Sequence, residues 1–429
     1  MRKAEGSLLR SGCGSKEYVS VLNGRDQTSS KWRNEMKYNF DEIVDRSGTS
    51  SVKVERLPEG CAEDSLSLWI ADMDFPCAEP IIKALHERVD RKIFGYTIYD
   101  CEECRQTVVD WYKRRYGWEE EQENIFFCGG IVSAYAVLIH LLTKEGDGIV
   151  LQRPIYYPFT KTAESNGRIL VDNPLIYENG TYQIDFEDLD KKMADPTNKV
   201  LVFCSPHNPA GRVWTEAEIR KVVDICKKYD KWIICDEIHC DLIRKGVEFH
   251  AILKVAPDYS DRIAVCTAPS KTFNLAGMKT SNIVIRNKEF QKKWKDYLGS
   301  KLHMDGASTL GLTAMIAAYK EGDEWLEQVT EYIDGNFAYI DAFLKENLPK
   351  AHLVPSEGTY LAWIDFNGYV HGDEKKLEQI MQKKAKVALD EGYIFGDAGK
   401  GFERINIASA RSVIEDCMKR IKAAFDEEF

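Results

Sequence analysis

From about residue 85 to residue 290, short β-rich apolar runs alternate with amphipathic helical patterns, and few folds accept that order. The runs fall at 148–151, 200–204, 232–235, 263–266 and 282–285. Between them lie stretches such as 216–229, where Ile219, Val222, Val223, Ile225 and Cys226 share one helical face. Strands that alternate with helices imply crossover connections. The expected class is therefore α/β, with a large domain built on a mostly parallel sheet flanked by helices.

The remainder has a different character. A chain of 429 residues exceeds the roughly 250–300 that one hydrophobic core usually supports, so a second unit is expected. Residues 324–348 read as a long helix, with Trp325, Val329, Ile333, Phe337 and Ile340 spaced for one face. Strand-like runs follow at 360–366 and 404–407, around an expected helix over 374–391, and a final helix is expected over 414–425. This pattern predicts a smaller α+β domain built from both chain ends. Residues 36–84 would join 324–429, leaving 85–323 as the large domain. Residues 1–35 are polar, rich in Ser and Gly and without periodicity; they read as a flexible extension, with Met36 as a candidate natural start.

Charge and cysteine placement exclude several classes. A net charge of -11 opposes general nucleic-acid binding, which needs a basic surface. No apolar run approaches the ~20 residues of a membrane helix, and the N-terminus lacks the apolar core of a signal peptide. Of the twelve cysteines, Cys128, Cys204, Cys235 and Cys266 sit in or beside apolar runs, where cysteine behaves as a small core residue. Cys101 and Cys104 form a lone CxxC with no second pair or histidine cluster nearby. Two ordinary thiols on a helix are favoured over a metal or redox pair. No metal is expected, and a reducing cytoplasmic home fits best.

The chemistry lies where the strands end. Ligands of open α/β sheets bind beyond the carboxyl ends of the strands. Three runs end there in polar text, VLVFCSPHNPAG, WIICDEIHCD and IAVCTAPSKTF, so Asn208, Asp236, His239, Ser270 and Lys271 are expected at one sheet edge. Alone, a lysine in a loop reads as surface charge, and an aspartate after a strand reads as a cap. Together, a desolvated lysine and a buried carboxylate are what pyridoxal phosphate (PLP) requires: a Schiff-base amine and a partner for the pyridine nitrogen. Gly129-Gly130 follows the run 125–128 and opens a helix expected over 133–142, a place where backbone N–H groups bind phosphate, although for a glycine pair alone a plain turn is the commoner reading. Ser270 and Lys279 could add a hydroxyl and a charge. Tyr156, in RPIYYPF, is a candidate for stacking on a ring or for simple core.

Seven motifs make a resemblance specific. WIADMDF (69–75), FGYT (94–97), GGIV (129–132), SPHNPAGRVW (205–214), CDEIHCDL (235–242), SKTFNLAG (270–277) and GTYLAW (358–363) run along nearly all of the chain from Tyr38 onward. They resemble fold-type I PLP enzymes of the aminotransferase class I/II superfamily and, more narrowly, the MalY/PatB-type cystathionine β-lyases. The resemblance implies that Lys271 carries the cofactor, Asp236 pairs with its ring nitrogen and Asn208 bonds its ring oxygen. It implies that Tyr156 stacks on the ring and that Ile131, Val132, Gly130 and Ser270 hold the phosphate. His239 stands where many aminotransferases have a tyrosine. Tyr96 would reach the phosphate of a neighbouring subunit, which implies a homodimer with shared sites. Arg404, with Asn208, would hold the substrate α-carboxylate.

Two departures stand out. Lys279 replaces the phosphate-binding arginine of many aminotransferases, giving a point charge in place of a fork. Ser409-Ala410-Arg411 stands where the family often reads CPR, and a neutral loop variation is the favoured reading. The implied activity is α,β-elimination of a thiol from L-cystathionine or a related S-substituted cysteine, giving pyruvate and ammonia. With L-cystathionine the thiol is homocysteine, as in methionine biosynthesis. An aminotransferase is the first alternative, and a PLP-binding regulatory or interaction protein the second.

Overall fold

The structure is a computed structural model and describes residues 37–429; the expected extension at 1–35 and the candidate start at Met36 lie outside the described residues. Regular structure in the first part of the chain includes β1 (Leu66–Ser67), α1 (Glu79–Asp90), α2 (Glu102–Tyr116), β2 (Ile125–Cys128), α3 (Ile131–Leu142), β3 (Gly148–Leu151) and β4 (Ile169–Asp172), with a further helix, Tyr157–Ser165, between β3 and β4. A hairpin of β5 (Ile176–Glu178) and β6 (Thr181–Gln183) follows, then β7 (Asn198–Cys204), α4 (Glu216–Lys228), β8 (Trp232–Asp236), β9 (Ile263–Thr267) and β10 (Ser281–Ile285).

Seven of these strands form one sheet in the order β2-β10-β9-β8-β7-β3-β4. The run from β9 to β4 is parallel, and β10 is antiparallel to both β2 and β9. A parallel sheet must be covered on both faces, which explains why its strands are apolar at successive positions. In β7, Leu201 and Phe203 join one hydrophobic core while Val200 and Val202 join another on the opposite face. Helix α4 supplies part of the first core through Ile219, Val222, Val223 and Cys226. A reciprocal capping box fixes its start: Thr215 Oγ1 accepts from the Glu218 N–H, and Glu218 Oε2 accepts from the Thr215 N–H.

The later part contains α5 (Thr309–Glu321), α6 (Asp323–Asn347), β11 (His352–Leu353), β12 (Leu361–Asp365), β13 (Val387–Ala388), β14 (Asp390–Glu391), β15 (Phe402–Asn406) and α7 (Arg411–Glu428). Its sheet runs β11-β12-β15-β14, all antiparallel. Strand β1 pairs in parallel with β13, which ties the segment before residue 85 to the end of the chain.

The expected helix over 374–391 is a correction. An α-helix covers only Glu374–Gln379 and passes through a π turn, Ile380–Lys384. Lys386 then takes a left-handed backbone (φ 51), which cannot continue a right-handed helix. The next residues form β13 and β14, because Val387 and Ala388 are buried against β1 and Asp390 and Glu391 pair with β15. Other differences are smaller. Helix α3 begins at Ile131, two residues earlier than expected, and the run expected over 404–407 is β15 shifted towards Phe402. The edge strand β4 and the hairpin β5–β6 are not among the expected runs; each offers at most three successive apolar residues between polar residues or turns. Among the described residues no helix is long and apolar enough to cross a membrane.

Candidate active site

Parallel pairing places the ends of β7, β8 and β9 side by side: Cys204 is opposite Asp236, and Asp236 is opposite Cys266. The polar text that follows each strand therefore emerges at one edge, as the topology requires.

Lys271 lies on a single turn, Pro269–Thr272, just beyond β9, and its Nζ donates to the Ala71 carbonyl at 2.6 Å. Burial lowers its pKa to about 8, the Arg404 charge acts in the same direction, and Asp72 and Asp236 oppose. Tyr360 Oη donates to the same Ala71 carbonyl at 2.8 Å. That carbonyl belongs to the 69–75 loop, which is clamped from two sides. Asn274 Nδ2 donates to the Met73 and Phe75 carbonyls at 3.0 and 3.1 Å, and its Oδ1 accepts from the Met73 N–H at 3.0 Å. Asn406 Nδ2, at the end of β15, donates to the Ile70 and Asp72 carbonyls, both at 2.6 Å. The loop joins the Lys271 turn to the second sheet and holds the amine in place.

Asp236 is buried at the end of β8. One carboxylate oxygen accepts from the Ile238 N–H at 3.1 Å, and the other has only the Cys204 thiol at 3.9 Å. Burial pushes its pKa up to about 7. A buried carboxylate with so little compensation calls for a cationic or N–H partner. His239 is also buried, edge-on to Tyr360 at 5.8 Å, and its Nδ1 has no hydrogen-bond partner. Burial holds its pKa well below the usual range, reinforced by the charges of Lys271 and Arg404, so the ring is neutral near pH 7.

Asn208, buried beyond β7, joins two other site residues. Its carbonyl accepts from the Tyr156 N–H at 3.1 Å, and its Oδ1 accepts from Arg404 Nη1 at 3.2 Å. The half-buried Tyr156 ring packs against Tyr157 and Phe159, and burial raises its hydroxyl pKa to about 12. Arg404, on β15, is itself buried. Its Nη2 donates to the Trp69 carbonyl at 3.0 Å and pairs with the carboxylate of Asp390, while its Nε has no partner. The guanidinium also lies over Phe395 at 4.8 Å.

At the start of α3, Gly130 is the N-cap with φ 141, a backbone conformation that favours glycine. A Cβ built on Gly129 or Gly130 meets nothing within 4 Å, so the space in front of the helix is open. The first N–H groups of a helix lack intrahelical partners and face outward, and here they belong to Ile131 and Val132. Antiparallel pairing sets Ser281 opposite Cys128, which brings Lys279, exposed on a left-handed turn, to the same edge as the glycine pair. Ser270 is half-buried one residue before Lys271. Tyr96 lies on a different surface, with its side chain fully exposed on the 93–98 loop.

This donor set fits PLP. The open helix start suits a phosphate, Asp236 lacks the partner that a pyridinium N–H supplies, and the desolvated Lys271 amine lies beside it. Reading the sequence missed four contributors: the Ala71 carbonyl, Tyr360, Asn406 and Asp390. Ala71 and Tyr360 stand inside WIADMDF and GTYLAW, so the motifs pointed to them without giving a role. Asp390 was hidden by the helix expected over 374–391.

Comparison with known proteins identifies relatives over most of the chain. Residues 63–421 match the family Aminotransferase class I and II. The chain is similar to the cystathionine β-lyase PatB of Bacillus subtilis, with 38% identity over 387 residues, 90% of this chain and 99% of that protein. Among solved structures it is similar to PLP-containing cystalysin from Treponema denticola (TM-score 0.87, 37% identity, 92% of this chain and 100% of that one). It is similar also to the PLP-bound C–S lyase from Staphylococcus hominis (TM-score 0.86, 38% identity, 91% and 99%).

Proposed function

The chain belongs to the aminotransferase class I and II family, and from that premise we propose that it is a PLP-dependent carbon–sulfur β-lyase acting on L-cystathionine or a related S-substituted cysteine. The observation that carries the reading is Lys271, an amine with its pKa lowered to about 8 and its Nζ fixed at the Ala71 carbonyl, at the strand edge that also bears Asp236.

In this reading Lys271 binds the cofactor and Asp236 holds its ring nitrogen. Asn208 and His239 line the ring-oxygen side, and Tyr156 covers a ring face. The start of α3 and Ser270 hold the phosphate, with Lys279 adding charge. When bound, PLP acts as an electron sink that makes the substrate Cα–H acidic. Arg404 and Asn208 orient the substrate α-carboxylate. Lys271, set free when the substrate amine takes its place on the cofactor, would take the proton from Cα as general base, and its depressed pKa suits that task near neutral pH. The Cα–H electron pair forms the Cα–Cβ double bond as the Cβ–S bond breaks and the thiolate leaves. The thiolate takes a proton, and water converts the remaining aminoacrylate to pyruvate and ammonia.

The relatives named as β-lyases align over about nine-tenths of this chain, which supports lyase over transaminase chemistry. Neutral His239, where many aminotransferases have a tyrosine, supports the same choice. The enzyme is further proposed to be a cytoplasmic homodimer with shared sites, in which Tyr96 of each chain completes the phosphate site of the other. The test is incubation of PLP-loaded protein with L-cystathionine and no 2-oxo acid. Sustained pyruvate release that is absent in Lys271→Ala supports the lyase. Keto-acid formation only after an acceptor is added identifies an aminotransferase instead.

A further inference from the structure

We propose that Cys101 and Cys104 form a redox-active dithiol, a site of reversible disulfide formation at the root of the loop that carries Tyr96. The sequence alone favoured two ordinary thiols; their placement does not. Cys101 is the N-cap of α2 and Cys104 lies in its first turn, so the two side chains meet on one helical face. Their sulfurs are 2.9 Å apart, well inside the contact distance of unbonded sulfur atoms. A disulfide needs about 2.04 Å, so closing the bond requires less than 1 Å of further approach.

The two sulfurs are not equivalent. Cys101 is half-exposed, whereas Cys104 is 3% exposed, and burial together with the neighbouring sulfur pushes the Cys104 thiol up to about 12. An incoming low-molecular-weight disulfide therefore reaches Cys101. The Cys101 thiolate attacks one of its sulfurs, forming a mixed disulfide and releasing one thiolate. Cys104, deprotonated as it attacks, displaces the second thiolate from the Cys101 sulfur and closes the internal bond. Two protein thiols are oxidised, one external disulfide is reduced to two thiols, and the two protons end on those thiols. Excess thiol reverses the sequence.

The surroundings give the step a structural outlet. The Cys101 N–H donates to the Tyr99 carbonyl at 2.8 Å, and the Cys104 sulfur lies 3.9 Å from the Ile98 carbonyl. Tyr99 is buried and anchored to β10 through Asn282 Oδ1 at 2.8 Å. The exposed 93–98 loop thus hangs between that anchor and the sulfur pair, and locking the pair fixes its root.

The test uses the PLP-loaded protein treated with oxidised glutathione at neutral pH, then with an alkylating agent. Proteolytic peptides are weighed, and amide exchange of residues 93–100 is followed in parallel. The expected result is a peptide in which Cys101 and Cys104 are joined, two hydrogens lighter and unalkylated, restored by dithiothreitol, with slower exchange in the loop. In Cys104→Ser the glutathione adduct should stop at Cys101. Two free alkylated thiols in the native protein, or a stable glutathione adduct on Cys101 with Cys104 still free, would overturn the proposal. So would a bond that forms only after denaturation.

Discussion

The guanidinium of Arg404 and the carboxylate of Asp390 face each other across two antiparallel strands, and both side chains are nearly sealed from water. The residue proposed to take the substrate carboxylate is thus already paired with a carboxylate of its own chain. Burial raises the pKa of Asp390 and the Arg404 charge opposes that rise. An incoming α-carboxylate must share the guanidinium, leaning on the buried Nε that has no partner. Replacing Asp390 with Asn removes the competing charge while keeping an acceptor. The KM for L-cystathionine should fall about tenfold, corresponding to ~1.4 kcal/mol. The melting temperature should fall as well, because a buried arginine loses its counter-charge. Steady-state kinetics beside a thermal melt checks both; an unchanged KM would show that Asp390 does not compete.

Cofactor capture should titrate with Lys271. Only the neutral amine attacks an aldehyde, and the pKa of about 8 means that it becomes the major form above that pH. The rate at which cofactor-free protein takes up PLP, followed by visible absorbance, should rise with pH and level off above about 8. An unperturbed lysine would keep rising towards its ordinary value of 10.5. Lys271→Ala should leave no cofactor fixed to protein after borohydride reduction.

Asp236 should destabilise the cofactor-free protein at neutral and alkaline pH. Its pKa is about 7 in the fold against an ordinary value of 3.8, so the unfolded chain loses this proton first as pH rises. Its contribution to stability is therefore present below about pH 4 and is lost progressively up to about pH 7. Cofactor-free Asp236→Asn should be more stable than the parent at pH 8 by about 2–4 kcal/mol, with no difference near pH 3.5. The same variant should bind PLP more weakly, since the ring nitrogen loses its anionic partner. Denaturant melts at the two pH values and a PLP titration read the three effects.

The residues that end strands are legible from their own surroundings, whereas of those brought in by the second sheet only Arg404 is named, and only through the family resemblance. Asn208, Asp236 and Lys271 were legible because each follows a short apolar run, and parallel pairing puts run ends at one edge. Tyr360, Asn406 and Asp390 reach the site from β12, β15 and β14 or their flanks, through antiparallel pairing that has no local signature. The stretch around Lys386 shows the reason. Its helical periodicity is real up to Lys384, but a left-handed residue and burial of Val387 and Ala388 against β1 override it. The Ala71 carbonyl was invisible for a different cause. It acts through its backbone, and only the clamps from Asn274 and Asn406 place it under Lys271.

Shared sites make a prediction that a single-chain enzyme cannot satisfy. Tyr96 is fully exposed, and Ile93, Phe94 and Ile98 beside it are exposed large apolar residues, a combination that suits burial against a second copy. If Tyr96 serves the neighbour's site, Tyr96→Ala and Lys271→Ala each inactivate both sites of their own homodimers. A mixed dimer of the two variants would then hold one site with both changes and one site with neither. Random reassortment of equal amounts should therefore restore about a quarter of parental activity, since about half of the dimers are mixed and each has one intact site. Pyruvate release after mixing, compared with each variant alone, measures this directly. No recovery despite subunit exchange, verified by mass spectrometry of differently tagged chains, would place Tyr96 outside the partner's site.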